Sequence, residues 1–161
     1  MTTGIVGCGP GGNRAAEEAA AALPALIVAE RGGFVPEGIE WDARGGRILT
    51  GSVTEGSVYQ IHADGRVTPV ITDPDLVSSI GIEVDEERGR LLVANSDLSA
   101  LQGTGRGQAR LGVYDLESGE RIAMVDLAAT LGSGGEIVHF ANDIAVGENG
   151  TAYVTDTQAN V

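Results

Sequence analysis

From Phe34 onward, short runs of alternating apolar and polar residues end on turns that contain glycine, and the pattern repeats. Three segments fall into register: EGIEWDARGGRILTGS (37–52), IGIEVDEERGRLLVAN (80–95) and NDIAVGENGTAYVTD (142–156). Ile39, Ile82 and Ile144 coincide, as do Trp41, Val84 and Val146, and Gly46, Gly89 and Gly150 fall together in the turns. A period of two on both sides of a Gly-containing turn predicts a β-hairpin in each segment. The segments that follow also agree. SVYQIHADGRVTPVI (57–71) parallels GVYDLESGERIAMV (112–125), with Tyr59 matching Tyr114 and polar turns at Asp64-Gly65 and Ser118-Gly119.

Each repeat therefore holds about four strands in roughly 40–60 residues, the pattern of a β-propeller blade. An antiparallel sandwich is the alternative for any such run of strands, but it does not require an in-register repeat. Two inserts, 97–110 and 128–140, are Gly-rich and read as loops over one face. Residues 34–161 make two units and the opening hairpin of a third. A closed propeller needs typically 4–8 blades, because each packs on two neighbours. The expectation is an all-β, incomplete propeller of about two and a half blades, either a piece of a longer protein or a chain that self-associates through its open blade edges.

Residues 1–33 read differently, as a leader or partial helical segment. Gly7, Gly9 and Gly12 make GxGxxG ahead of an Ala-rich stretch, and Glu30 stands where a dinucleotide fold places its ribose-binding acid. That would suit a nucleotide-cofactor oxidoreductase. Against it, the strand before Gly7 is very short, Pro24 interrupts the approach to the second strand, and no second βαβ unit follows. A capped surface helix or a poorly ordered leader is the other reading.

Composition narrows the partners. The formal net charge is −13, with 23 acidic against 10 basic residues. So negative a surface repels phosphate backbones and anionic headgroups, which argues against nucleic acid and membrane surfaces and favours cations. Cys8 is the single cysteine, so no intrachain disulfide and no thiolate metal site can form. No apolar run approaches the roughly 18 residues of a membrane span. The Ala-rich stretch lacks the basic leader of a secretory signal, and localisation stays open.

Candidate chemistry lies where each repeat opens. The equivalent positions are Glu37, Ile80 and Asn142, the last followed by Asp143. In a propeller the first strand of each blade lines the central channel, so Glu37 and Asn142 would aim at a common axis. Carboxylate and amide oxygens suit a hard cation, calcium above all. A turn in which Asn142 bonds its own backbone is the plainer alternative. His139, three residues before Asn142, is a candidate base or a loop histidine without a role, and His62 reads as solvent-facing. Asn95 and Asp156 share a repeat position with Ser52, at the end of a second strand, which suggests turn capping before a site.

PEGIEWD, GIEVDEERGRLLVAN and above all ANDIAVGENGTAYVTD resemble the senescence marker protein / gluconolactonase family, and more distantly the paraoxonases. The likeness covers residues 34–161. It implies a six-bladed propeller with calcium or another divalent metal in the channel, and hydrolysis of lactones or related esters. It also implies a metal-ligand role for Glu37, a metal or substrate role for Asn142, and a place beside the substrate for Asp143. The family's remaining ligands, an Asn and an Asp from later blades, have no positions in this sequence. The basic substrate-binding residue expected just before Asn142 is replaced by His139-Phe140-Ala141. The implied chemistry is metal-assisted: the ion polarises the carbonyl while a carboxylate or histidine activates water.

Overall fold

The computed structural model describes residues 23–131 and 137–161. Ten strands form one curled, all-β sheet. β1 (Pro36–Asp42), β2 (Arg47–Ser52), β3 (Ser57–Ile61) and β4 (Val67–Thr72) run as an antiparallel meander, here unit 1. β5 (Ser78–Asp85), β6 (Arg90–Ser96), β7 (Gly107–Asp115) and β8 (Arg121–Asp126) repeat it as unit 2. β9 (His139–Val146) and β10 (Ala152–Asp156) make a further hairpin, unit 3. The repeat read from the sequence is thus a repeat of meanders. Its turn glycines sit where a side chain would be strained: Gly46, Gly89 and Gly150 have φ of 60°, 62° and 82°.

Little backbone pairing joins the units. Unit 1 meets unit 2 at the single pair Ser52↔Ser79, and unit 2 meets unit 3 through a short parallel stretch, Gly107↔His139 and Gln108↔Phe140. Side chains hold them instead. Leu49, Val58 and Ile71 of unit 1 pack against Ile82, Leu91, Val93 and Tyr114 of unit 2. On the other side, Leu92, Ala94, Ala109 and Leu111 pack against Ala141 and Ile144 of unit 3. Alternation along β6 therefore serves two cores, with Leu91 and Val93 facing one neighbour and Leu92 and Ala94 the other.

Polar clamps reinforce both seams at the turn end of the sheet. Arg47 Nε donates to Asp42 at 2.7 Å and its Nη2 to Leu116 O of unit 2 at 2.6 Å. Arg90 repeats this on Asp85, at 2.8 Å, and reaches Gly150 O of unit 3 at 2.6 Å. Burial works against Asp85 as an anion, but the hydrogen bonds from Arg90 and the Arg88 N–H, with both positive charges, hold its carboxyl below the usual range. Unit 3 has Gly147 and Thr151 at these positions, so it carries no such clamp.

Some expected boundaries move. The insert 97–110 is a loop only in part: Ser99–Gln102 form one helical turn, and β7 already begins at Gly107. Likewise 139–140 of the second insert belong to β9, and 132–136 lie outside the described residues. GxGxxG lies outside them too. The described end of the leader lies along unit 1, where Glu30 N donates to Gly65 O and Arg31 pairs with Glu55 and stacks over Tyr59, 4.7 Å from the ring centroid. Among the described residues no helix is long and apolar enough to cross a membrane.

Candidate functional site at the start of the first strands

β1 lies against β5, and β5 against β9, so the three first strands stand side by side. Each carries one extra residue at the same place. Glu37 pairs with Gly51 and Ile39 with Thr50, so β1 advances two residues while β2 advances one. β5 makes the same step between Ser79 and Ile82, and β9 between Ala141 and Ile144. These are β-bulges, which re-aim side chains and increase local twist. Gly38, Gly81 and Asp143 are equivalent within them.

The residue at that position follows from crowding. Gly38 has φ of 64°, and a Cβ there would stand 2.7 Å from Ile80 O. A Cβ on Gly81 would collide with Asn142 O. Unit 3 carries the exposed Asp143 at the same position. The Asn-Asp pair that opens the third repeat is thus a bulge without the glycine. Asp143 N donates to Thr155 Oγ1 at 3.0 Å, and Asp143 Oδ1 accepts from Ile144 N at 2.9 Å.

The expected oxygens have distinct surroundings. Glu37 is exposed, and its Oε2 accepts from Gly38 N at 2.6 Å. Asn142 is half-buried, and its side-chain amide carries no hydrogen bond among the described residues. Ile80 of unit 2 is buried in a small cluster with Ala100 and Phe140. The donors are all oxygen, which suits a hard cation in kind. Among the described residues, however, no group of three or more His, Cys, Asp or Glu is arranged to hold a metal.

Two carboxylates were missed by the sequence reading. Glu40 and Glu83 are half-buried, one on each of β1 and β5, at the same repeat position. Burial raises the Glu40 carboxyl, and the charges of Glu83 and Asp143 raise it further. Burial also raises Glu83, with Asp143 and Asp85 adding to it against the Val146 N–H. Glu40, Glu83 and Asp143 thus share one negative field across three adjacent strands. The signal was present in the sequence, since Ile-Glu recurs at 39–40 and 82–83.

His139 is not a loop residue. It opens β9, is buried, and holds its Nδ1 2.7 Å from Asp156 Oδ2. Phe140 and Ala141 lie between it and the Asn-Asp pair, and no hydrogen bond or ion pair joins it to Glu37, Asn142 or Asp143. His62 is half-buried rather than solvent-facing, 2.9 Å from Thr68 Oγ1.

Ser52 and Asp156 cap the turns that follow them, as expected, whereas Asn95 bonds only residues distant along the chain. Ser52 Oγ donates to Phe34 O and accepts from Glu55 N; Asn95 Oδ1 accepts from Val77 N; Asp156 Oδ1 accepts from Phe140 N and Ala159 N. Each ties the end of a second strand to the chain entering its own unit. A groove of about 640 Å³ lies elsewhere, at the turn end, lined by Asp42, Arg44, Arg47, Arg88, Asp115 and Glu117. Two of its arginines are paired with acids, Arg47 with Asp42 and Arg88 with Asp85, and none of the bulge residues lines it. No protein-family model matches this sequence, and no curated protein matches it.

Proposed function

We propose that the units are consecutive blades of a six-bladed type of β-propeller, and that their first strands line a channel serving a calcium- or other divalent-metal-dependent lactonase- or esterase-like hydrolase. The observation that carries this reading is the shared bulge. Glu37 of β1 and Asn142 and Asp143 of β9 stand at its level, and the carboxyls of Glu40 and Glu83 are both raised, by burial first and also by Asp143. Bulges of this kind gather next to active sites, and clustered carboxylates concentrate cations.

Glu37 and Asn142 are the residues that would hold the ion, and Asp143 stands next to them for substrate. A bound divalent cation would supply Lewis-acid polarisation of a lactone carbonyl. The side chains contribute the rest: Asn142 has an unspent amide to orient a polar substrate, and the field of Glu40, Glu83 and Asp143 disfavours anions. A neutral lactone or ester fits such a field better than a charged acid, and nucleic acid does not fit it.

Calorimetric titration with calcium and an assay of simple lactones test this on the protein carrying this sequence. Glu37→Gln is expected to weaken calcium binding at least tenfold, and Asn142→Ala to weaken it as well. Unchanged calcium affinity in both variants rejects the site. Calcium binding without turnover of any lactone or ester leaves a binding propeller and rejects the hydrolase. The outward faces of units 1 and 3 lead to a further expectation, self-association of the isolated chain. A sharp monomer peak by size-exclusion chromatography with light scattering counts against it.

A further inference from the structure

We propose that Asp156 is a positioning residue for His139, fixing the imidazole with its proton on Nδ1 so that Nε2 is the proton acceptor for lactone hydrolysis. The inference deepens the hydrolase reading and rests on it for the substrate, but its structural core stands separately.

The repeat supplies an internal control. Phe34, Val77 and His139 occupy equivalent positions, and so do Ser52, Asn95 and Asp156. In units 1 and 2 the capping contact is made by neutral side chains onto backbone: Ser52 to Phe34 O, Asn95 from Val77 N. Holding the strand start in place therefore needs neither a carboxylate nor an imidazole. Unit 3 alone replaces both members at once with an ionisable pair. Asp156 still caps with Oδ1, on Phe140 N at 2.8 Å and Ala159 N at 3.2 Å, and this leaves Oδ2 for His139 Nδ1 at 2.7 Å.

The chemistry of that contact has one outcome. Asp156 is buried, which alone would raise its carboxyl, but the Phe140 and Ala159 N–H groups and His139 hold it below the usual range. An ionised carboxylate only accepts, so Nδ1 carries the hydrogen. In the neutral ring Nε2 is then the nitrogen with the free lone pair, and it makes no hydrogen bond among the described residues. The one side-chain polar atom there that is both sealed and unpartnered is Ser79 Oγ, so Nε2 of the buried ring is not fully sealed. A base oriented by a third group is the arrangement that activates water. In the step, a water O–H bond breaks and its proton goes to Nε2. The water oxygen bonds to the carbonyl carbon, the ring C–O bond breaks, and the released alkoxide takes the proton back from the imidazolium.

Only two histidines occur in the sequence, His62 and His139, so two-bond 1H–15N correlation spectra of the labelled protein resolve them, with His62→Gln to assign. The wild-type neutral ring of His139 is expected as the Nδ1–H form. Asp156→Asn keeps an oxygen for the two N–H groups but turns an amide N–H toward Nδ1, so the ring is expected to switch to Nε2–H. Lactone turnover should then fall about a hundredfold with KM unchanged, as in His139→Gln. An Nε2–H ring in the wild-type protein overturns the proposal without any variant having to fold. Full turnover by Asp156→Asn also overturns it. A wild-type protein with the Nδ1–H ring that hydrolyses no lactone or ester rejects the hydrolase and the base role together, while the tautomer still shows that Asp156 orients His139.

Discussion

Units 1 and 2 carry the same first-strand pattern and bury it oppositely. Ile82 is 4 % exposed because unit 1 covers it, and Ile144 is 7 % exposed because unit 2 does. Ile39, at the same repeat position, is 71 % exposed, and Trp41 beside it on that face is also open. An alternating pattern states which face a strand offers; the neighbour decides whether the offer is taken up. Each unit is thus half a core, completed only by stacking, as in repeat architectures generally.

Truncation breaks this comparison most severely. Ile82→Ala is expected to cost about 2–5 kcal/mol, as buried isoleucines do, whereas Ile39→Ala should cost less than about 1 kcal/mol. Chemical denaturation of the two variants side by side is the measurement; equal losses would mean that the face of unit 1 is covered in solution. The matched tyrosines sharpen the point. Tyr114 is buried, its hydroxyl donates to Asp73 Oδ2 at 2.9 Å, and burial first and Asp73 second push it above its ordinary range. Tyr114→Phe should cost about 1.5–3 kcal/mol. Tyr59 bonds the partly exposed Glu55, so Tyr59→Phe should cost less.

A smaller effect separates the seams by pH. Because the folded-state carboxyl of Asp85 lies below its unfolded value, its clamp stabilises above the unfolded pKa and loses that contribution as pH falls through the folded one. Asp85→Asn should cost about 1 kcal/mol at neutral pH, and the gap to wild type should close in acid. The smallest effect has the opposite sign. Glu40 and Glu83 are raised, so their charged forms burden the folded state once pH passes their folded pKa values. Glu40→Gln with Glu83→Gln should raise stability at neutral pH by about 0.5 kcal/mol, with no gain below the ordinary carboxylate range.

Much of this was legible in the sequence because it is local. The turns at Gly46, Gly89 and Gly150 and the caps that Ser52 and Asp156 place on the N–H groups three residues on depend on residues near one another along the chain. The bulges were not, because an extra residue exists only relative to the strand opposite. Glu40 and Glu83 were passed over because alternate polar positions on a strand ordinarily face water, and what gives these two their character is the approach of β1, β5 and β9. His139 was misplaced for the same reason: its partner, Asp156, is brought to it only by the closing of the β9–β10 hairpin.

The bulges have an evolutionary side. A residue outside the ladder can be exchanged without shifting any other pair in its hairpin, so a copy of the unit can vary that position wherever the next strand leaves room. Gly38, Gly81 and Asp143 show two solutions already, glycine on β1 and β5, where the next strand crowds in, and a carboxylate on β9. A scaffold with that property can change the chemistry on its first strands one copy at a time, while the other copies keep the sheet intact.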